Sequence, residues 1–364
     1  LPIKIHDGDN IIQLQGGTDT TVVLKGDGTV WATGLGTSGQ IGDDTNTTRA
    51  ELVPVINDTK DNILSGIVKI VSGSHHTIAL KEDKTAVIWG YNTNGQLGIN
   101  STVNSKYAVL MLNEIGTEEI QNIVDIAAGR SYSVIVKSNG DTYAVGHNVY
   151  GQLGNGAKTN TSILSKVKEV QNVIQVAAGQ YHTTMLRADG TVWSVGRNYN
   201  GELGLNSNSS SSTGSDQGVS YARQVKNSEN NGVLKNISQI AVGGYHNVAL
   251  TNSKQVYTWG YGKDGQLGLN STVSYALPQI LLDNTDGTNG VGNIAKIGTS
   301  ERSTFVVTDN NEVLATGENS NYQLAQNNNT DLLKITNLYN QDGENYINNI
   351  INVISSSSNT NNTA

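Results

Sequence analysis

The stretch VIQVAAGQYHTTMLRADGTVWSVGRNYNGELG, residues 173–204, decides the fold. Val173-Ile174-Gln175-Val176 is a short β-branched run that ends in the small residues Ala177-Ala178-Gly179. A second run, Thr183 to Leu186, follows, and Asp189-Gly190 separates it from Val192-Trp193-Ser194-Val195. Asp-Gly is the two-residue hairpin signal whose backbone twist matches the flanking strands. The stretch closes on Gly201-Glu202-Leu203-Gly204.

The same order recurs along the chain. Copies begin at Ile11, Ile67, Ile123, Val173, Ile237 and Ile294, which are 56, 56, 50, 64 and 57 residues apart. Ile350-Ile351-Asn352-Val353 starts a partial seventh copy before the sequence ends at Ala364. A variable fourth strand completes each unit, as at Glu51 to Ile56, Ser165 to Val170 and Ala276 to Leu281. Four antiparallel strands repeated six or seven times are the blades of an all-β propeller. The small residues ending each first strand suit crowding at a central axis. Trp31, Trp89, Trp193 and Trp259 all fall in third strands and read as core.

Composition agrees. The 364 residues include 41 Gly, 3 Pro, 15 Tyr and 1 Phe, and only 15% are charged. Gly supplies tight corners and Tyr favours pleated surfaces. A net charge of −8 gives no electrostatic footprint for nucleic acid. The absence of cysteine removes disulfides and thiol chemistry. No apolar run approaches the roughly 20 residues of a membrane helix, so membrane insertion is not expected. The chain starts at Leu1 without Met, which suggests a processed or excised product.

The motifs resemble the regulator of chromosome condensation family of propellers. The resemblance rests on Gly73-Ser74-His75-His76-Thr77, Gly179-Gln180-Tyr181-His182-Thr183 and Gly243-Gly244-Tyr245-His246. It rests equally on the closing motifs Gly95-Gln96-Leu97-Gly98, Gly151-Gln152-Leu153-Gly154 and Gly265-Gln266-Leu267-Gly268, decayed in the sixth copy to Tyr322-Gln323-Leu324-Ala325. It implies seven blades, and strand counting along the chain then forms the closing blade from both termini. Leu1, Ile3 and Ile5 would supply one strand and Ile350, Ile351 and Val353 another, leaving that blade incomplete and open to strand donation. A six-bladed ring is the alternative. The family hosts unrelated roles, and the tryptophan that its plant ultraviolet-B photoreceptor carries after the Gly is replaced here by Thr18, Ser74, Arg130, Gln180, Gly244 and Glu301. A bacterial-type member is expected.

No catalytic, cofactor or metal site is expected. His76, His182 and His246 share one repeat position on separate blades and read as structural. Asp283-Asn284-Thr285-Asp286-Gly287 is only faintly like a calcium loop. The segment 206–232 reads as a flexible polar insertion and 355–364 as a low-complexity tail. Loops after the first and third strands emerge on one face, which is expected to carry His75, Arg130, Tyr132, Tyr181, Tyr245 and Arg302, with Tyr91, His147, Tyr199 and Tyr261. Tyr and Arg are frequent interface anchors. The expected function is non-catalytic, extracellular or at a bacterial cell surface. Its partner is a protein, or further copies of the chain assembled into filaments. The alternatives are a soluble inhibitor or receptor-like module and, remotely, a lyase or hydrolase.

Overall fold

The computed structural model describes residues 10–209, 217–282, 291–340 and 345–347. Blade 1 contains β1 (Ile11–Gly16), β2 (Thr20–Lys25), β3 (Val30–Gly34) and β4 (Arg49–Pro54). Blade 2 contains β5 (Ile67–Ser72), β6 (His76–Lys81), β7 (Ala86–Gly90) and β8 (Ser105–Leu110). Blade 3 contains β9 (Ile123–Ala128), β10 (Tyr132–Lys137), β11 (Thr142–Gly146) and β12 (Thr161–Lys166). Blade 4 contains β13 (Val173–Ala178), β14 (His182–Arg187), β15 (Val192–Arg197) and β16 (Gly218–Gln224). Blade 5 contains β17 (Ile237–Val242), β18 (His246–Thr251), β19 (Val256–Gly260) and β20 (Tyr275–Ile280). Blade 6 contains β21 (Ile294–Thr299), β22 (Ser303–Thr308), β23 (Val313–Gly317) and β24 (Leu332–Asn337).

Each blade is a separate four-stranded sheet paired in chain order, all antiparallel. The architecture is an all-β propeller, and among the described residues its blades number six, the alternative to the seven expected. The donor segments expected at Leu1, Ile3, Ile5, Ile350, Ile351 and Val353 lie outside the described residues, as do the calcium-like loop and the tail.

Hydrophobic cores form between blades. Val22 and Leu24 of blade 1 cluster with Ile67, Ile70 and Trp89 of blade 2. Equivalent clusters join blades 2 and 3, 3 and 4, 4 and 5, and 5 and 6. The inner strands enclose an axial channel with a cavity of about 340 Å³. Around it, a polar side chain of one inner strand clasps the backbone of the next. Gln13 Oε1 accepts from Ile70 N (2.9 Å), and Gln13 Nε2 donates to Ile70 O (2.7 Å). Gln175 clasps Ile240 and Gln239 clasps Ile297 in the same way. Asp125 accepts from Val176 N, while Lys69 donates to Asp125 and to Ile126 O.

Three expectations need correction. Residues 206–232 are not one flexible insertion, because β16 lies within them and pairs with β15 from Arg197↔Gly218 to Trp193↔Gln224. The fourth strands start before the predicted runs, β12 at Thr161 rather than Ser165, because pairing begins at the third strand's last glycine, as in Gly146↔Thr161. Of the four tryptophans, Trp89 and Trp259 are fully buried, whereas Trp31 and Trp193 are half-buried. The half-buried pair stand two residues nearer the start of the third strand. The indoles of Trp89 and Trp259 donate to Gln40 O (3.1 Å) and Glu202 O (3.0 Å), backbone groups of the preceding blade's closing motif.

Candidate functional site: the loop face of blades 3 to 6

Two loops per blade build this face. The residue two after the Gly step offers its carbonyl to the residue after the third strand's final glycine. Tyr91 N donates to His75 O, Arg197 N to Tyr181 O, Tyr261 N to Tyr245 O and Glu318 N to Arg302 O, at 2.8 to 3.0 Å. Side chains from both loops are thereby set side by side. Neighbouring blades are tied too, since Gln180 N donates to Gly244 O (2.9 Å) and Gly244 N to Glu301 O (2.8 Å).

A buried asparagine shapes the longer loop. Asn148 Oδ1 accepts from Leu153 N, and its amide donates to Ala157 O and Thr159 O. Asn92, Asn198 and Asn319 bond their loops in a similar way. Asn92, Asn148 and Asn319 are fully enclosed, so they are scaffold and not surface.

The exposed result is a continuous aromatic row. Tyr150 meets Tyr181 edge-on at 5.1 Å between ring centroids, Tyr181 lies 6.3 Å from Tyr245, and Tyr245 lies 6.3 Å from Tyr261. His147 packs on Tyr181 at 5.7 Å. The Arg197 guanidinium is 4.8 Å from the Tyr245 ring centroid and 5.0 Å from that of Tyr199. Arg130 donates from Nη1 to the Tyr181 hydroxyl at 2.6 Å. All these rings are half-buried, so each keeps a face or edge for contact. On blade 2, His75 and Tyr91 pair with each other at 6.2 Å.

Beside the row, a polar network links blades 4, 5 and 6. Tyr245 donates to Gln180 Oε1 (2.6 Å), and Gln180 Nε2 donates to Glu301 Oε1 (2.6 Å). Gln180 belongs to blade 4 and Glu301 to blade 6. The link spans blade 5 because that blade has Gly244 at the equivalent position, where a Cβ would fall 2.7 Å from Glu301 Cγ. Burial, aided by the charges of Glu318 and Asp264 and opposed by Arg302 and Arg130, lifts the Glu301 carboxyl to about 7. Burial likewise raises Asp264. Arg302 lies 3.7 Å from Asp264 and 4.0 Å from Glu318.

Nine of the ten residues expected in these loops lie there, His75 and Tyr91 on blade 2 and the other seven on blades 3 to 6, and Tyr132 does not. Tyr132 stands in β10, fully buried, with its hydroxyl donating to His182 O at 2.5 Å. Counted from the Gly step, it takes the seat that His76, His182 and His246 take elsewhere. Those three imidazoles are enclosed between blades, and burial pushes each down to about 3. His76 Nε2 meets Ser133 Oγ and His246 Nε2 meets Thr304 Oγ1, both at 3.0 Å in the next blade. Sequence reasoning misses Glu202, Asp264, Glu301 and Glu318 as site residues. The available signal is positional, because Glu202 replaces the usual Gln of the closing motif and Glu301 occupies the step position where Gln180 stands in blade 4.

Comparison with known proteins extends these observations. The family model described as RCC1-like domain matches residues 2–359. The human E3 ubiquitin-protein ligase HERC2 is 29% identical over 314 residues, covering 86% of this chain and 6% of that protein. The Ultraviolet-B receptor UVR8 of Arabidopsis thaliana is 28% identical over 323 residues, covering 87% of this chain and 67% of that one. Yeast RCC1 (Prp20), solved bound to Kap60, superposes with a TM-score of 0.77 at 18% identity, covering 96% of this chain and 78% of that chain.

Proposed function

The chain belongs to the RCC1-like domain family, and on that premise we propose that it is a protein-binding module whose partner docks on the loop face of blades 3 to 6. One observation carries the reading. Tyr150, Tyr181, Tyr245 and Tyr261 form an unbroken, half-exposed row across three blades, with Arg130 and Arg197 against it. Tyr in that setting supplies large contact area with few rotatable bonds, and Arg adds a planar donor fork. The row is pre-assembled by packing within the chain, which lowers the ordering cost of association. The relatives give the same direction, since yeast RCC1 (Prp20) was solved with a protein, Kap60, bound to it. Binding here is not accompanied by a catalytic role in this reading.

Site-specific photo-crosslinking tests it. A crosslinker at Tyr199 captures a defined protein from the native source, and one at Asn139, in a hairpin between second and third strands, does not. Replacing Tyr181 and Tyr245 together by Ala abolishes the Tyr199 adduct. Equal adducts from both positions overturn the proposal.

Self-association through the terminal segments is a second reading. It is favoured by one observation: successive inner strands pack from β1 with β5 through β17 with β21, whereas β21 and β1 are not packed on each other in that way. A sedimentation coefficient that stays at the monomer value as concentration rises removes it.

A further inference from the structure

Resting on that docking face, we propose that Arg130 is the seat for a carboxylate side chain of the protein partner, flanked by His75 and His147 and positioned by Tyr181. Arg130 is the exposed residue after Gly129, and its hydrogen bond to the Tyr181 hydroxyl uses one of five guanidinium donors. The remaining fork is open. The other two arginines of the face are compensated, Arg197 by Glu202 at 2.7 Å and Arg302 by Asp264 and Glu318. Among the described residues no carboxylate reaches Arg130 within ion-pair distance. A carboxylate matches the planar fork in shape as well as charge.

The surroundings hold the fork still. Tyr181 is wedged between Tyr150 and Tyr245, with His147 against its ring. The Gln152 amide donates to His147 Nδ1 at 2.8 Å, so the imidazole proton sits on Nε2 and is free to donate. His75 and Tyr91 stand on the neighbouring blade.

Charge sets the direction of a pH dependence. Burial lowers both His75 and His147; Arg130 adds to each, and Asp19 opposes at His75. Arg130 also acts on Glu301 and Tyr245. A carboxylate bound to Arg130 offsets its field and adds negative charge beside the two imidazoles. Both then take up protons more readily, and by linkage binding tightens as pH falls through their range. Protonation of Glu301, lifted to about 7, removes a competing negative charge with the same sign. Nucleic-acid phosphate would be the other source of an anion. The chain carries −8 overall, and a lone open guanidinium is no track of cations.

The experiment is NMR of the intact chain, following the Arg130 side-chain Nε–Hε and the His75 and His147 ring resonances. The probes are the blocked tripeptide Ala-Asp-Ala, its Asn counterpart and a short single-stranded DNA. The Asp peptide alone is expected to give saturable shifts and to raise both histidine titrations. Arg130→Gln, an exposed change that leaves the fold intact, abolishes the response. Equal shifts with the Asn peptide, a response to DNA in preference, or none up to solubility overturns the seat. Capture from Tyr199 without any carboxylate response would sink this inference alone and leave the docking face standing.

Discussion

The Arg197 guanidinium meets the Glu202 carboxylate at 2.7 Å between Nη1 and Oε1, and Glu202 is fully buried. In blade 3 the same two positions hold His147 and Gln152, 2.8 Å apart and uncharged. One blade thus replaces a neutral hydrogen bond with an ion pair, and the two substitutions depend on each other. Removing Arg197 leaves a buried carboxylate with no cation beside it, held by the N–H groups of Asn200.

Arg197→His, whose imidazole is neutral at pH 8, is therefore expected to destabilise the chain by about 3–5 kcal/mol at that pH. The double change Arg197→His with Glu202→Gln, which copies blade 3, should recover most of that. Urea unfolding of the four-member cycle measures the coupling. Additive single effects would contradict the interdependence.

Gly179 is a packing requirement. Its φ is not positive, but a Cβ there would overlap the His182 ring and approach Gly243 O at 2.8 Å. Gly179→Ala should cost about 1–3 kcal/mol by overpacking. Gly292 is the control, since a methyl group added there would meet nothing within 4 Å. Gly292→Ala should stay within about 0.5 kcal/mol of the parent.

Lys84 sits at φ 67°, the left-handed conformation that Gly28, Gly140 and Gly190 adopt at the equivalent turn position. A side chain there is strained, and Lys84→Gly should stabilise the fold by about 1 kcal/mol. A lowered denaturation midpoint for Lys84→Gly would show that its side chain compensates for the backbone.

His76, His182 and His246 are held neutral down to about pH 3, against 6.5 for exposed histidine. Between those values the unfolded chain binds protons that the folded chain refuses, so stability falls as pH falls. Each contributes a slope of about 1.4 kcal/mol per pH unit below pH 6. Three together give roughly 4 kcal/mol per unit, partly offset by Glu301, which is raised and so favours the folded state on acidification from 7 towards 4.5. Denaturant titrations at pH 6 and pH 5 read the slope, and a flat profile would mean the imidazoles are protonated in place.

Much of this is legible in the residues. Asp189-Gly190 and the Gly steps punctuate the chain, and all six blades follow from them. Tyr132 is misplaced when aromatic character is weighed above register. Counting three residues from Gly129 puts it in the histidine seat, between blades. Trp31 and Trp193 share a strand type with Trp89 and Trp259 but not a position along it, and position decides burial. The contact of Gln180 with Glu301, 121 residues apart, is out of reach of a sequence reading. It depends on ring geometry and on a missing side chain at Gly244, which no local pattern encodes.

Because five of the six core clusters among the described residues are shared by two successive blades, the seam more than the blade is the unit that keeps the chain folded. Cutting the polypeptide between blades exposes half of one oily interface on each fragment, and neither piece keeps its full complement of burial. A damaging substitution at one seam should loosen the two blades that meet there first, with the effect fading around the circle as in other nearest-neighbour arrays. The docking row straddles the seams between blades 3 and 4 and between 4 and 5, so its alignment is only as firm as those two joints.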